Sequence, residues 1–171
     1  MIRIWVVALW VVAFVLSECA FAADSLMLQS AVADKILVDK SDRKLMLLKN
    51  GAVLRSFDVS LGLSPNGPKR QEGDFKTPEG VYSLETKNQN SDFFLSIKIS
   101  YPDPGDRRAA ARLGVHPGGQ IMIHGQPNEP KHPVASYKGR DWTDGCIAVS
   151  NGDMVDIWLM TEVGTPIEIQ P

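Results

Sequence analysis

Two residues in this chain stand where covalent chemistry is feasible, His124 and Cys146. His124 follows the short apolar run Ile121-Met122-Ile123 and precedes Gly125. Cys146 ends the turn-like stretch Thr143-Asp144-Gly145 and opens a second apolar run, Ile147-Ala148-Val149. A thiol and an imidazole at the ends of two strands, joined by a polar Pro/Gly-rich loop able to close over them, form a nucleophile with its base. A free cysteine with a pKa near ~8.5 holds only a few per cent thiolate at neutral pH. An adjacent imidazole takes up that proton and can later return it to a leaving amine. The tetrahedral intermediate needs N–H donors, for which the amides of Gly145 and Cys146 are candidates, in a turn that Gly145 makes possible.

The rest of the chain must position this pair and deliver it. With 171 residues, 44% hydrophobic and 22% charged, the composition is that of one globular domain. A formal net charge of -2 gives no reason to expect nucleic acid as a partner. Residues 1–22 read as a signal peptide: Arg3 supplies the positive start, Ile4 to Leu16 an apolar core, and Ala20-Phe21-Ala22 the cleavage site. That core is short for a membrane span, which needs about 20 apolar residues, so no stable span is expected after cleavage. Leu16-Ser17-Glu18-Cys19 also admits a lipoprotein reading, although a charged Glu18 fits such a signal poorly. Residues 23–34 read as a linker and 35–171 as the catalytic domain. Cleavage removes Cys19 and leaves Cys146 alone in an exported, oxidising setting, where an unpaired thiol favours a reactive role over a purely packing one.

The domain reads as β. Lys35–Lys40 and Lys44–Leu48 are short strands, and Asn50-Gly51 between apolar runs signals a hairpin. In Val53–Ser60 the alternation points Val53, Phe57 and Val59 inward. Ser64–Gly80 is a Gly/Pro-rich loop, long enough to shape a cleft. Val81–Glu85 and Phe93–Ile99 read as strands around the polar segment Lys87–Asn90, and Asp106 as the cap of a short helix ending at Gly114. Ser150 caps a further helix with Met154, Ile157 and Trp158 on its buried face and Gly164 at its close, and Pro166–Ile169 is a last strand. His116, His124 and His132 lack metal-motif spacing, so no metal is expected. Lys69, Lys138 and Arg140 are candidates to meet substrate carboxylates. Tyr137 and Trp142 flank the loop and are candidates to line a groove.

These residues resemble the L,D-transpeptidases with a YkuD-type catalytic domain. The match comprises His124-Gly125, Thr143-x-Gly145-Cys146 with Ile147 behind it, and Asn151; upstream it includes Gly67-Pro68-Lys69, Glu72-Gly73-Asp74 and Thr77-Pro78-Glu79-Gly80-Val81-Tyr82. The resemblance implies a mostly β, YkuD-like β-sandwich with short peripheral helices. It implies an exported enzyme of the periplasm or cell envelope, acting on peptidoglycan stem peptides through a cysteine thioester, without cofactor. Cys146, His124, Gly125 and Gly145 would be the catalytic set, with the Gly125 carbonyl fixing the imidazole tautomer. Thr143, Lys69, Tyr137 and Arg140 would contact substrate. The acceptor stays open: a stem-peptide amine, a D-amino acid, a protein lysine, or water, which would make a carboxypeptidase or amidase. A non-catalytic cell-wall binding protein is the alternative from another class. The sequence departs from the family where Asp144 replaces a common histidine and Ala148 a polar or basic residue.

Overall fold

The computed structural model describes residues 32–171; the signal-peptide assignment, Cys19 and most of the expected linker lie outside them. The elements are β1 (Lys35–Asp39), β2 (Lys44–Lys49), β3 (Ala52–Asp58), β4 (Gly80–Ser91), β5 (Phe94–Ile99), helix α1 (Pro104–Leu113), β6 (Met122–His124), a 3-10 turn (Val134–Tyr137), β7 (Ile147–Ala148), helix α2 (Asn151–Met160) and β8 (Pro166–Gln170). The strands form one mixed sheet in the order β3-β2-β1-β8-β4-β5-β6-β7. A mostly β fold with short helices is what the resemblance implied.

Alternation builds the core. Ile36 and Val38 of β1, Leu45 and Leu47 of β2, and Ile167 and Ile169 of β8 point to one face and are buried together. Each such side chain contributes roughly 1.5–3 kcal/mol relative to exposure. Beyond β3 the chain crosses to the far edge of the sheet. There Ser60 and Ala148 exchange backbone hydrogen bonds of 2.8 Å, and Gly62 bridges to Thr143. The sheet's two edges are thereby tied to one another around the core, which places the Cys146 turn against residues 60–63.

The Asn50-Gly51 hairpin forms with both residues at positive φ, the geometry a two-residue turn of this hand requires. Val53, in contrast, is exposed rather than inward-facing. Leu47 pairs with Arg55 and Leu48 with Val53, so a bulge at Leu54 reverses the parity of the strand's start. The polar segment Lys87–Asn90 is strand, not loop. β4 runs through it because its backbone keeps pairing with β5, Lys87 with Ile97 and Asn88 with Ser96, while Asn88, Gln89 and Asn90 keep their side chains exposed. Helix α1 begins three residues earlier than expected. Asp103 is the cap and Asp106 the reciprocal partner of a capping box, with Pro104 preset for the first turn. Helix α2 stops at Met160, well before Gly164; Met154, Ile157 and Met160 form its buried stripe, and Trp158 is only half-buried. Lys87 Nζ lies over the Trp158 ring at 5.2 Å and donates to the Trp158 and Thr161 carbonyls, satisfying the helix end.

Candidate active site

β6 and β7 run side by side in parallel, with Ile123 opposite Ile147 and His124 opposite Ala148. Ile123 and Ile147 point into the core and are fully buried. Alternation therefore turns His124 to the other face, along with Cys146 immediately before β7. The strands bring imidazole and thiol to one face from positions 22 residues apart in sequence.

His124 is held by its surroundings on every side. Its Nδ1 donates to the Gly125 carbonyl at 2.7 Å, which leaves Nε2 as the acceptor in the neutral ring. Phe93 packs tilted on the imidazole with centroids 4.6 Å apart, and Trp142 meets it edge-on at 5.7 Å. Gly125 is irreplaceable by size: a Cβ there would lie 2.6 Å from Asn151 Oδ1 and 3.0 Å from the Phe94 Cβ. Asn151 Oδ1 accepts from the Gln126 amide at 2.7 Å, so the head of α2 fixes the chain as it leaves the histidine.

Cys146 sits at the end of a turn tied internally. The Thr143 hydroxyl donates to the Cys146 carbonyl at 2.8 Å and accepts from the Gly145 amide at 3.1 Å. Gly145 has φ 129°, and a Cβ there would lie 2.5 Å from the Lys76 carbonyl oxygen. Gly62 meets the same loop from the opposite side, its would-be Cβ 2.2 Å from the Phe75 carbonyl oxygen. These close backbone approaches set the height of the thiol. In this state its hydrogen is directed at the Gln120 carbonyl, with a 3.5 Å separation.

The long Ser64–Gly80 loop is the wall of the site on the thiol side. It owes its order to two buried ion pairs. Lys40 Nζ donates to Glu79 at 2.7 Å and to the Gly67 and Thr77 carbonyls. Lys69 Nζ donates to Asp74 at 2.7 Å and to the Gln71 carbonyl at 3.1 Å. Asp74 also accepts from the Arg70, Gln71 and Lys76 amides. Burial alone would raise the Asp74 carboxyl, but Lys69 and those amides outweigh it and hold the pKa below the ordinary value.

On the other side of His124, the loop from Pro127 to Trp142 covers a groove of about 670 Å³ lined by Asp92, Phe93, Asn128, Glu129, Tyr137 and Trp142 among others. Tyr137 is buried, and its hydroxyl accepts from the Lys131 and His132 amides at 3.1 and 3.3 Å. The base of this loop is anchored by Asp141, which accepts from the Leu61 amide at 2.9 Å and from Arg43 at 2.9 and 3.2 Å.

The electrostatics favour neutral groups in the free site. Burial pushes the His124 imidazole down, against the pull of the Gly125 carbonyl. Burial likewise pushes the Cys146 thiol up, and Asp144 adds to the rise, while the Met122 amide and Lys69 oppose it. A preformed thiolate–imidazolium pair is therefore not what this environment stabilises.

Several substrate contacts expected from the sequence take other positions. Thr143 is buried, with its hydroxyl engaged at both ends inside the turn. The Lys69 ammonium is buried and donates to Asp74 and to the Gln71 carbonyl. Tyr137 does line the groove, through its ring. Arg140 is exposed and is absent from the groove's lining. Of the two amides expected as oxyanion donors, that of Gly145 donates to the Thr143 hydroxyl. Sequence reasoning also missed Phe93, Asp74, Asp141 and the cap on Gln126 by Asn151. Of these, Asn151 and Asp74 lay in segments already singled out, and the others carried no local signal. Among the described residues, no group of three or more His, Cys, Asp or Glu is arranged to hold a metal.

Comparisons with known proteins show the family of the chain. The model of the YkuD family, described as the L,D-transpeptidase catalytic domain, matches residues 33–169. YafK of Escherichia coli (strain K12), whose name places it among the L,D-transpeptidases, is 40% identical over 76 residues, 43% of this chain and 28% of its own. The crystal structure of Pgp2, the helical cell shape determining protein of Campylobacter jejuni, superposes with a TM-score of 0.57 at 25% identity, covering 80% of this chain and 46% of Pgp2. Bd1075 of Bdellovibrio bacteriovorus gives 0.52 at 25% identity over 79% of this chain and 46% of its own. The chain thus spans less than half the length of each of these relatives. With a family match across nearly all of its described residues, the chain belongs to the YkuD L,D-transpeptidase catalytic-domain family.

Proposed function

We propose that this protein is a cell-envelope enzyme that cleaves tetrapeptide stems of peptidoglycan and forms a thioester between Cys146 and the diamino acid at position three. The observation that carries the reading is the placement of His124 and Cys146 on one face of adjacent parallel strands, next to a groove whose Phe93 and Trp142 also pack on His124. In the first step the Cys146 sulfur attacks the diamino acid carbonyl as its proton passes to His124 Nε2. The ion pair then arises together with the new S–C bond, consistent with the neutral resting groups. The Cys146 amide is the candidate donor to the developing oxyanion. Collapse breaks the C–N bond, and His124 Nε2–H protonates the departing D-alanine amine. An acceptor amine next attacks the thioester and gives its proton to His124, which returns it to the sulfur as the S–C bond breaks. Water in place of the amine would make the same site an L,D-carboxypeptidase. Export by the N-terminal signal brings the enzyme to this substrate.

The test is incubation of the purified protein with a tetrapeptide muropeptide, followed by mass spectrometry. A covalent adduct on Cys146 with release of D-alanine is expected. An adduct formed as readily by Cys146→Ala would overturn the assignment. Addition of candidate amines then identifies the acceptor from the product released.

A further inference from the structure

We propose that Asp144 selects the acyl donor: its carboxylate receives the side-chain ammonium of the diamino acid being acylated, so stems with that amine free react ahead of stems with it already acylated. This inference rests on the thioester reading above.

Asp144 is exposed, two residues before the nucleophile. Among the described residues no ion pair engages its carboxylate, and the hydrogen bonds of its turn run between Thr143, Gly145 and Cys146 around it. The turn is rigid, because Gly145 is pressed against the Lys76 carbonyl and the Thr143 hydroxyl is bound at both ends. The backbone on either side of Asp144 is thereby held, and its carboxylate is open to solvent. Its field reaches the sulfur, where it opposes ionisation. The cation acting in the opposite sense, Lys69, already has its ammonium enclosed by Asp74 and the Gln71 carbonyl. The Lys76 ammonium donates to the Asn66 carbonyl.

An unpaired carboxylate beside a nucleophile that must become anionic in the transition state works against the reaction. A substrate cation removes that cost, and it must lie close to the sulfur to do so. Of the donor's side chains, that of the acylated residue branches nearest the sulfur, from the carbon next to the acylated carbonyl. If it is a diamino acid, its side chain ends in an ammonium when uncross-linked. Substrate binding then neutralises Asp144 and raises the reactivity of Cys146 in one event.

The experiment measures adduct formation on Cys146 with two tetrapeptides, one with a free side-chain amine and one N-acetylated there, for the wild type and for Asp144→Asn. Alkylation by iodoacetamide is measured in parallel. The wild type should favour the free amine about fivefold, the size of one exposed ion pair. Asp144→Asn should lose that preference while its alkylation becomes faster. Equal rates with the two peptides in the wild type, a preference retained in the variant, or alkylation no faster in the variant would each overturn the role of Asp144. Absence of any adduct with either peptide would instead strike the thioester reading, and this inference with it.

Discussion

His124 and Cys146 share one face of two adjacent strands, yet each is hydrogen-bonded away from the other: Nδ1 to the Gly125 carbonyl at 2.7 Å, the thiol to the Gln120 carbonyl at 3.5 Å. With burial raising the thiol and lowering the imidazole, the free site holds a protonated sulfur beside a neutral base. Alkylation of Cys146 by iodoacetamide should therefore be slower at pH 7 than that of an unstructured cysteine, and the midpoint of its pH profile should lie above that of a free thiol. His124→Gln should change that alkylation less than twofold while abolishing adduct formation with tetrapeptide. A fast thiol at neutral pH that slows strongly on loss of His124 would show a preformed ion pair instead.

The same shifts set a stability window. His124 has a lowered pKa in the fold, so the unfolded chain binds the extra proton first, and stability falls as pH drops below the ordinary imidazole value of 6.5. Cys146 has a raised pKa, so the unfolded chain loses its proton first, and stability falls as pH climbs past the value of a free thiol. Urea midpoints should be flat between those limits as far as these two groups decide. His124→Gln should flatten the upper part of the acid limb, and Cys146→Ser the alkaline limb. An unchanged profile in both variants would contradict the assigned directions.

Gly145 tests the packing of the nucleophile turn. Its φ of 129° suits glycine alone, and a Cβ would sit 2.5 Å from backbone oxygen that belongs to a loop pinned by buried ion pairs. Gly145→Ala should cost about 1–3 kcal/mol in urea unfolding, and should displace Cys146 enough to remove adduct formation in whatever fraction remains folded. Gly152→Ala, inside helix α2 with only the Ser150 hydroxyl at 3.9 Å, is the control and should fold normally.

How far the sequence reveals this site depends on where each contact comes from. The pair His124 and Cys146 is legible because each borders a short apolar strand, and the Asn50-Gly51 turn because its chemistry is local. Val53 misleads because a bulge opposite Leu47 and Leu48 depends on the partner strand, not on the chain's own alternation. Lys69 and Thr143 look like surface ligands from their types, but their bonds to Asp74 and to the turn bury them. Arg43 and Asp141 are 98 residues apart, and no period or motif links them before the edges of the sheet meet. Asp144 is the instructive departure. Its type stands out against the family, and only the engagement of Lys69 elsewhere gives the difference a consequence.

Lys69 and Asp74 should prove structural at the wall of the site. Their side chains are 3% and 11% exposed, and removing the ammonium leaves a buried carboxylate with only backbone donors. Lys69→Met should therefore cost about 3 kcal/mol. Asp74 has a lowered pKa in the fold, so it adds stability above its unfolded value of 3.8 that is lost as pH falls through the folded one. The variant should show less of that acid-dependent loss than the wild type, because Lys69 is the leading cause holding the carboxyl down. Urea titrations at pH 3 and pH 7 provide the comparison. A Lys69 that instead contacts substrate would give a variant with wild-type stability at both pH values and a raised KM for the tetrapeptide, and that result would move the residue from the wall into the binding site.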